Sequence, residues 1–169
     1  LWKIGSREIA LASVLGALSA LFEIIPGPPF DIPFPLYPKI SWDLTGIPMM
    51  TSLLLNGPLS GILTCLVGCS IIFLRGNFFG GIFKLIAELS TILAYGFLNR
   101  KVVANSIAGV SSRVIVMTVA NYYLLQLFYG IPASIVLSLL VPIGIFNATQ
   151  ALINIIPAYI IHTRVEKKL

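Results

Sequence analysis

The chain has 169 residues, of which 57% are hydrophobic and only 10% charged, with a mean hydropathy of +0.98. A soluble domain carries about 25% charged residues, so this composition excludes one and predicts an all-α, polytopic membrane protein. The formal charge of +5 comes without a basic patch interleaved with exposed aromatics, which leaves nucleic-acid binding without support.

In chain order, the first apolar run covers Arg7–Ile25. It lacks a small-x-small cleavage site and more spans follow, so it reads as a retained helix rather than a signal peptide. Ala12, Gly16 and Ala20 recur along it at intervals of four, with Ser13 and Ala17 one position round. Such a ridge permits close helix approach, by another helix of this chain or by a partner subunit. Between Pro26 and Asp43 come six prolines with Phe30, Phe34, Tyr37 and Trp42 among them. Proline blocks a regular helix and stiffens an extended path. A short apolar run, Leu44–Leu55, is joined to Leu59–Leu74 by Asn56-Gly57-Pro58, a tight turn signal. Gly80–Leu98, Ile107–Phe128 and Leu137–His162 complete six segments, with no linker long enough to divide residues 1–169 into two domains. All six are expected to cross the membrane.

Lys and Arg collect in short cytoplasmic loops. Lys3 and Arg7 precede the first span, Arg100 and Lys101 follow the fourth, Arg113 lies early in the fifth, and Arg164, Lys167 and Lys168 follow the sixth. Six crossings put all of these on one side, taken as cytoplasmic together with both termini. Lys39, Arg75 and the long Pro26–Asp43 loop then lie outside the cell membrane.

Polar residues inside the spans carry the functional signal, because such groups are costly in hydrocarbon and often mark a substrate path. At 1.5 Å per residue, Glu88 lies about 12 Å below the outer surface, Asn121 roughly 10 Å, and Asn147 and Gln150 about 12 to 17 Å. Asn147, Gln150 and Asn154 share one helix face. Two readings are open: a binding pocket on three helices, or hydrogen-bond glue between them. Lys84 and Glu88 are neighbours at i, i+4, so Glu88 is either a pocket acceptor or half of a structural pair. The aromatic loop lies over this cluster as a lid for a flat ligand, or else as an interfacial belt.

Other chemistry is thin. Cys65 and Cys69 sit on one helix, which suits a disulfide poorly, and no His or Cys set has zinc spacing. No Gly-Lys-Ser/Thr phosphate loop is present. The chain therefore cannot hydrolyse ATP by the usual phosphate loop. The polar cluster reads as a binding pocket or, in a different class, as the site of a small intramembrane enzyme using Glu88.

The residues also resemble a family: the substrate-binding S components of energy-coupling-factor (ECF) vitamin importers, and within them the riboflavin-binding type. The resemblance covers nearly the whole chain. It rests on the Ala12–Gly16–Ala20 ridge, the Lys39-Ile40-Ser41-Trp42-Asp43-Leu44-Thr45-Gly46-Ile47-Pro48 string and Gly57-Pro58-Leu59-Ser60-Gly61. It also rests on Glu88, Met117-Thr118-Val119-Ala120-Asn121-Tyr122, Tyr129-Gly130-Ile131-Pro132 and Phe146-Asn147-Ala148-Thr149-Gln150. The family's ligand-contacting Lys is Gln150 here, which keeps hydrogen-bonding capacity without charge. The resemblance implies a binding protein, not an enzyme, with an S-component fold and a long first extracellular loop. It implies riboflavin as the transported ligand, with no cofactor, or else another vitamin or small heterocycle on the same fold. The expected binding set is Glu88, Asn121, Asn147, Gln150, Tyr37, Trp42 and Lys39. The implied partners are a transmembrane coupling subunit, which meets the Ala12, Gly16, Ala20 ridge, and two ATPase subunits.

Overall fold

Helix boundaries follow from local chemistry in the computed structural model, which describes residues 5–98 and 100–167. Lys3 and Lys168, used above for orientation, lie outside the described residues. Helix α1 (Ser6–Ile24) starts where the Glu8 carboxylate accepts the Gly5 backbone N–H at 2.8 Å, and it stops short of Pro26. Helix α2 (Gly46–Asn56) and α3 (Pro58–Leu74) meet at Gly57, whose φ of 86° only glycine adopts without strain, and Pro58 opens α3 where its missing N–H costs nothing. Asn77 caps α4 (Phe78–Phe97) by accepting from the Gly80 N–H at 3.0 Å. Helix α5 (Val102–Tyr129) ends on left-handed Gly130, and α6 (Ala133–Glu166) follows Pro132.

The proline-rich segment expected to be irregular contains a short antiparallel hairpin. Strand β1 (Asp31–Pro33) pairs with β2 (Ser41–Asp43), with Ile32 opposite Trp42. Phe34 is buried beside it, with its ring 5.0 Å from Trp42 and 5.6 Å from Phe146 of α6.

The six helices alternate in direction. Helix α1 packs on α3 and α2, α3 on α4, α4 on α5, α5 on α6, and α6 returns to α2. Among the described residues α4, α5 and α6 are long and apolar enough to cross a membrane, and α3 is a shorter apolar helix. With 11 residues, α2 is only about 16 Å long, roughly half a hydrocarbon core. It sits inside the bundle, with Met49, Met50 and Leu53 packed against Cys65, Ile92 and Ala151. Polarity is inverted relative to a soluble protein. Val14, Leu66, Ile115, Leu127 and Val141 face outward, while Ser52, Thr64, Glu88, Arg113 and Asn154 are buried. That is the arrangement a lipid solvent imposes.

Ala12 and Gly16 are corrected as partner-facing residues. Both are buried inside the monomer against α3, where a side chain on Gly16 would meet Val67 and the Thr64 carbonyl, while Thr64 Oγ1 donates to the Ala12 carbonyl at 3.2 Å. Ala20 is half-buried, and the outward small residues are Ala10, Ser13 and Ala17. Gly16→Leu should therefore overpack the α1–α3 seam and cost about 1–3 kcal/mol. It should lower the unfolding temperature of detergent-purified protein. An unchanged temperature would mean that α1 is not seated on α3.

Candidate functional site

One half of the bundle is a packed apolar core; the other holds a cavity of about 900 Å3. Helix α5 gives it a regular wall. Arg113, Met117, Asn121, Leu125 and Tyr129 recur every fourth residue and all line the space, as one helical stripe must. Gly80, Phe83, Lys84 and Ala87 of α4 and Ile143, Phe146 and Asn147 of α6 form the other walls, with Phe22 of α1. The hairpin segment adds Phe30, Tyr37, Lys39 and Ile40 to the lining.

The floor is a buried charged network. Glu88 is fully buried and accepts from Arg113 Nη1 at 2.9 Å and from Asn154 Nδ2 at 3.0 and 3.2 Å. Arg113, 2% exposed, also donates through Nε to Asn147 Oδ1 at 3.2 Å. Asn147 Nδ2 bonds the Ile143 carbonyl at 2.9 Å. Gln150 joins this floor to the hairpin. Its Nε2 donates to the Asp43 carbonyl at 2.8 Å and to Asn154 Oδ1 at 2.9 Å, and its Oε1 accepts the Asp43 N–H at 3.1 Å. Breaking one buried link of such a network strands its partners, which is why each is costly to remove.

Asp43 is the second anchor of the hairpin. Its carboxylate receives an ion pair from Lys84 and hydrogen bonds from the Thr45 hydroxyl and, at 2.9 Å, the Thr45 N–H. Burial pushes the Asp43 carboxyl up, but the Lys84 charge and the Lys84 and Thr45 hydrogen bonds outweigh it and hold the pKa below the ordinary 3.8. Trp42 Nε1 donates to Thr149 Oγ1 at 2.9 Å on α6, a third tie.

The expected binding residues divide accordingly. Asn121, Asn147, Tyr37 and Lys39 line the cavity together. Glu88, Gln150 and Trp42 do not line it. The first two are sealed in the floor by their hydrogen bonds, and Trp42, within β2, meets Phe34 edge-on and donates to Thr149 of α6. Lys84 resolves toward Asp43, with Glu88 at 4.0 Å as its second partner. Arg113 is a further correction: placed early in the fifth span and counted with the cytoplasmic-side charges, it is a buried floor residue. Its position about 17 Å into α5, on the same stripe as Met117 and Asn121, was the available signal.

Residues 7–162 match the family model for the substrate-specific component of ECF transporters. The chain belongs to that family. The S-component fold agrees with a solved structure described as the S component of a bacterial ECF transporter, with a TM-score of 0.80 at 23% identity, covering 95% of this chain and 96% of that one. No curated protein sequence matches the chain significantly. S components bind a substrate for transport and are not enzymes, which sets aside the intramembrane enzyme.

The Asp43 anchor has a signed pH dependence. Its folded pKa is depressed, so the stabilisation is complete above the ordinary carboxylate value and is lost as pH falls through the depressed one. With Trp2 replaced by Phe, Trp42 emission should stay constant from neutral pH down to the ordinary carboxylate range and redden only below it. Asp43→Asn should give the shifted emission already at neutral pH. A Trp42 signal indifferent to this substitution would mean that the anchor does not hold the hairpin.

Proposed function

We propose that this single-domain S component captures riboflavin from outside the cell and hands it inward as part of an ECF-type ABC importer. The observation that carries the reading is charge balance around a large cavity. Lys84 is paired with Asp43, and Arg113 with Glu88 behind it in the floor; Lys39, Arg75, Glu23 and Asp31, two of each sign, line the rest of the space. A neutral ligand leaves this balance intact, whereas an anion or cation would bury an uncompensated charge. Phe22, Phe83, Met117, Leu125 and Phe146 supply apolar faces for a flat ring, and Asn121 and Asn147 supply polar contacts. The volume suits one vitamin-sized ligand. The sequence strings quoted above add support for a flavin.

ATP hydrolysis comes from partners, since the chain has no phosphate loop. The coupling subunit, with two ATPase subunits, docks on the outward small residues Ala10, Ser13 and Ala17 of α1, next to the buried ridge. Arg7, Arg100, Lys101 and Arg164 fall at one end of the alternating bundle and the cavity at the other, which supports cytoplasmic termini and an outward mouth.

Two outcomes test this. Purified protein should bind riboflavin and quench its fluorescence, and Asn121→Ala, whose amide makes only a local bond to the Met117 carbonyl, should weaken affinity roughly 5- to 150-fold. Absence of flavin binding, with binding of another neutral heterocycle in a vitamin screen, would replace the ligand. Ala17→Trp should keep ligand affinity and unfolding temperature while losing co-purification with the coupling and ATPase subunits. Retained co-purification would move the docking surface elsewhere.

A further inference from the structure

Arg113 has one nitrogen that the floor does not use. Its Nε is held by Asn147 and its Nη1 by Glu88, with Thr91 Oγ1 at 3.5 Å. Among the described residues no acceptor bonds Nη2, and Nη2 is not among the sealed polar atoms lacking a partner. Arg113 lines the cavity, so this nitrogen opens onto it. The guanidinium is planar, and two of its three nitrogens are fixed, so the third is aimed without further loss of freedom.

The chemistry at that depth is one-sided. The Glu88 carboxylate is occupied by Arg113 and Asn154, and Asn147 Oδ1 by Arg113 Nε. What remains facing the ligand is donors: Arg113 Nη2 and the second hydrogen of Asn147 Nδ2. The matching ligand group is an acceptor. Charge balance excludes a carboxylate or phosphate there, which leaves a neutral carbonyl oxygen of an amide, imide or lactam ring. Eight residues further along α5, about 12 Å nearer the mouth, Asn121 is the contrasting group. One hydrogen of its Nδ2 goes to the Met117 carbonyl, and its Oδ1, unlike that of Asn147, is free to accept.

We propose that Arg113 is a specificity-determining residue that reads a ring carbonyl of the cargo through Nη2. Glu88 and Asn147 act as positioning residues that fix its plane. Asn121 receives a hydroxyl or N–H from the opposite end. The site thus selects elongated, neutral heterocycles with a carbonyl edge at the deep end and a donor at the outer end. This rests on the reading of the cavity as a riboflavin site and deepens it.

The test is a ligand–protein cycle on the purified full chain in detergent. Dissociation constants are measured for riboflavin, 2-thioriboflavin and 4-thioriboflavin, in which sulfur replaces one ring carbonyl oxygen and accepts hydrogen bonds poorly. Wild type should bind one thio analogue roughly tenfold or more weaker than riboflavin, as losing a hydrogen bond from a charged donor implies. Arg113→Lys keeps a charge for Glu88 but lacks the fork, and it should bring the two ligands within about threefold of each other. A purely structural role would weaken both equally and leave the ratio unchanged. Should that variant not fold, the paired Glu88→Gln/Arg113→Gln variant, which leaves no orphan charge, takes its place. Equal binding of all three ligands by wild type, or an undiminished ratio in the folded variant, would overturn the proposal while leaving flavin binding intact. No flavin binding by wild type would overturn both the ligand reading and this proposal.

Discussion

The Glu88–Arg113 ion pair is the constraint on which the rest of the structure depends. Two opposite charges deep in a membrane bundle are tolerated only if each is paired and its remaining hydrogen-bonding capacity is met. Glu88 meets this through Arg113 and Asn154, and Arg113 through Glu88 and Asn147. Those four side chains come from α4, α5 and α6, so satisfying the pair fixes the three longest helices relative to one another. It also sets where the apolar core ends and the cavity begins.

The hairpin over the cavity is tied to the same network. Gln150 clamps both backbone groups of Asp43 and reaches Asn154, while the Asp43 side chain holds Lys84 and Thr45. The chain of bonds continues to α1, where buried Ser19 donates to the Thr45 carbonyl at 2.7 Å. A contiguous run of hydrogen bonds therefore joins the helix proposed to meet the coupling subunit with the floor and cover of the ligand cavity.

Much of the architecture was legible in the sequence because lipid writes a coarse signal. Apolar runs separated by Asn56-Gly57-Pro58 and Gly130-Ile131-Pro132 locate helices within a few residues. The i, i+3, i+7 set Asn147, Gln150 and Asn154 correctly marks an inward face of α6. What was not legible is which inward residues touch the ligand space. Gln150 and Asn147 look alike at three residues' spacing, yet one is consumed by a strand 107 residues away and the other lines the cavity. Non-local pairing decides this, and periodicity carries no information about it. Arg113 is the opposite case: counting basic residues by side groups it with the cytoplasmic cations, whereas it lies inside α5, buried against Glu88. The ridge on α1 shows a third limit: small residues announce close packing but not whose helix approaches. Gln150, where the resemblance puts a lysine, sits in a network whose cations are Arg113 and Lys84.

The direct test of the account is a double-mutant cycle on the ion pair, read as unfolding free energy of the detergent-solubilised chain. Glu88→Gln and Arg113→Gln should each destabilise the fold strongly, by roughly 3–5 kcal/mol, because each leaves its partner buried and uncompensated. The double variant should lose far less than the sum, since no charge remains to strand. Additive losses, or single variants as stable as wild type, would contradict the claim that this pair organises the bundle.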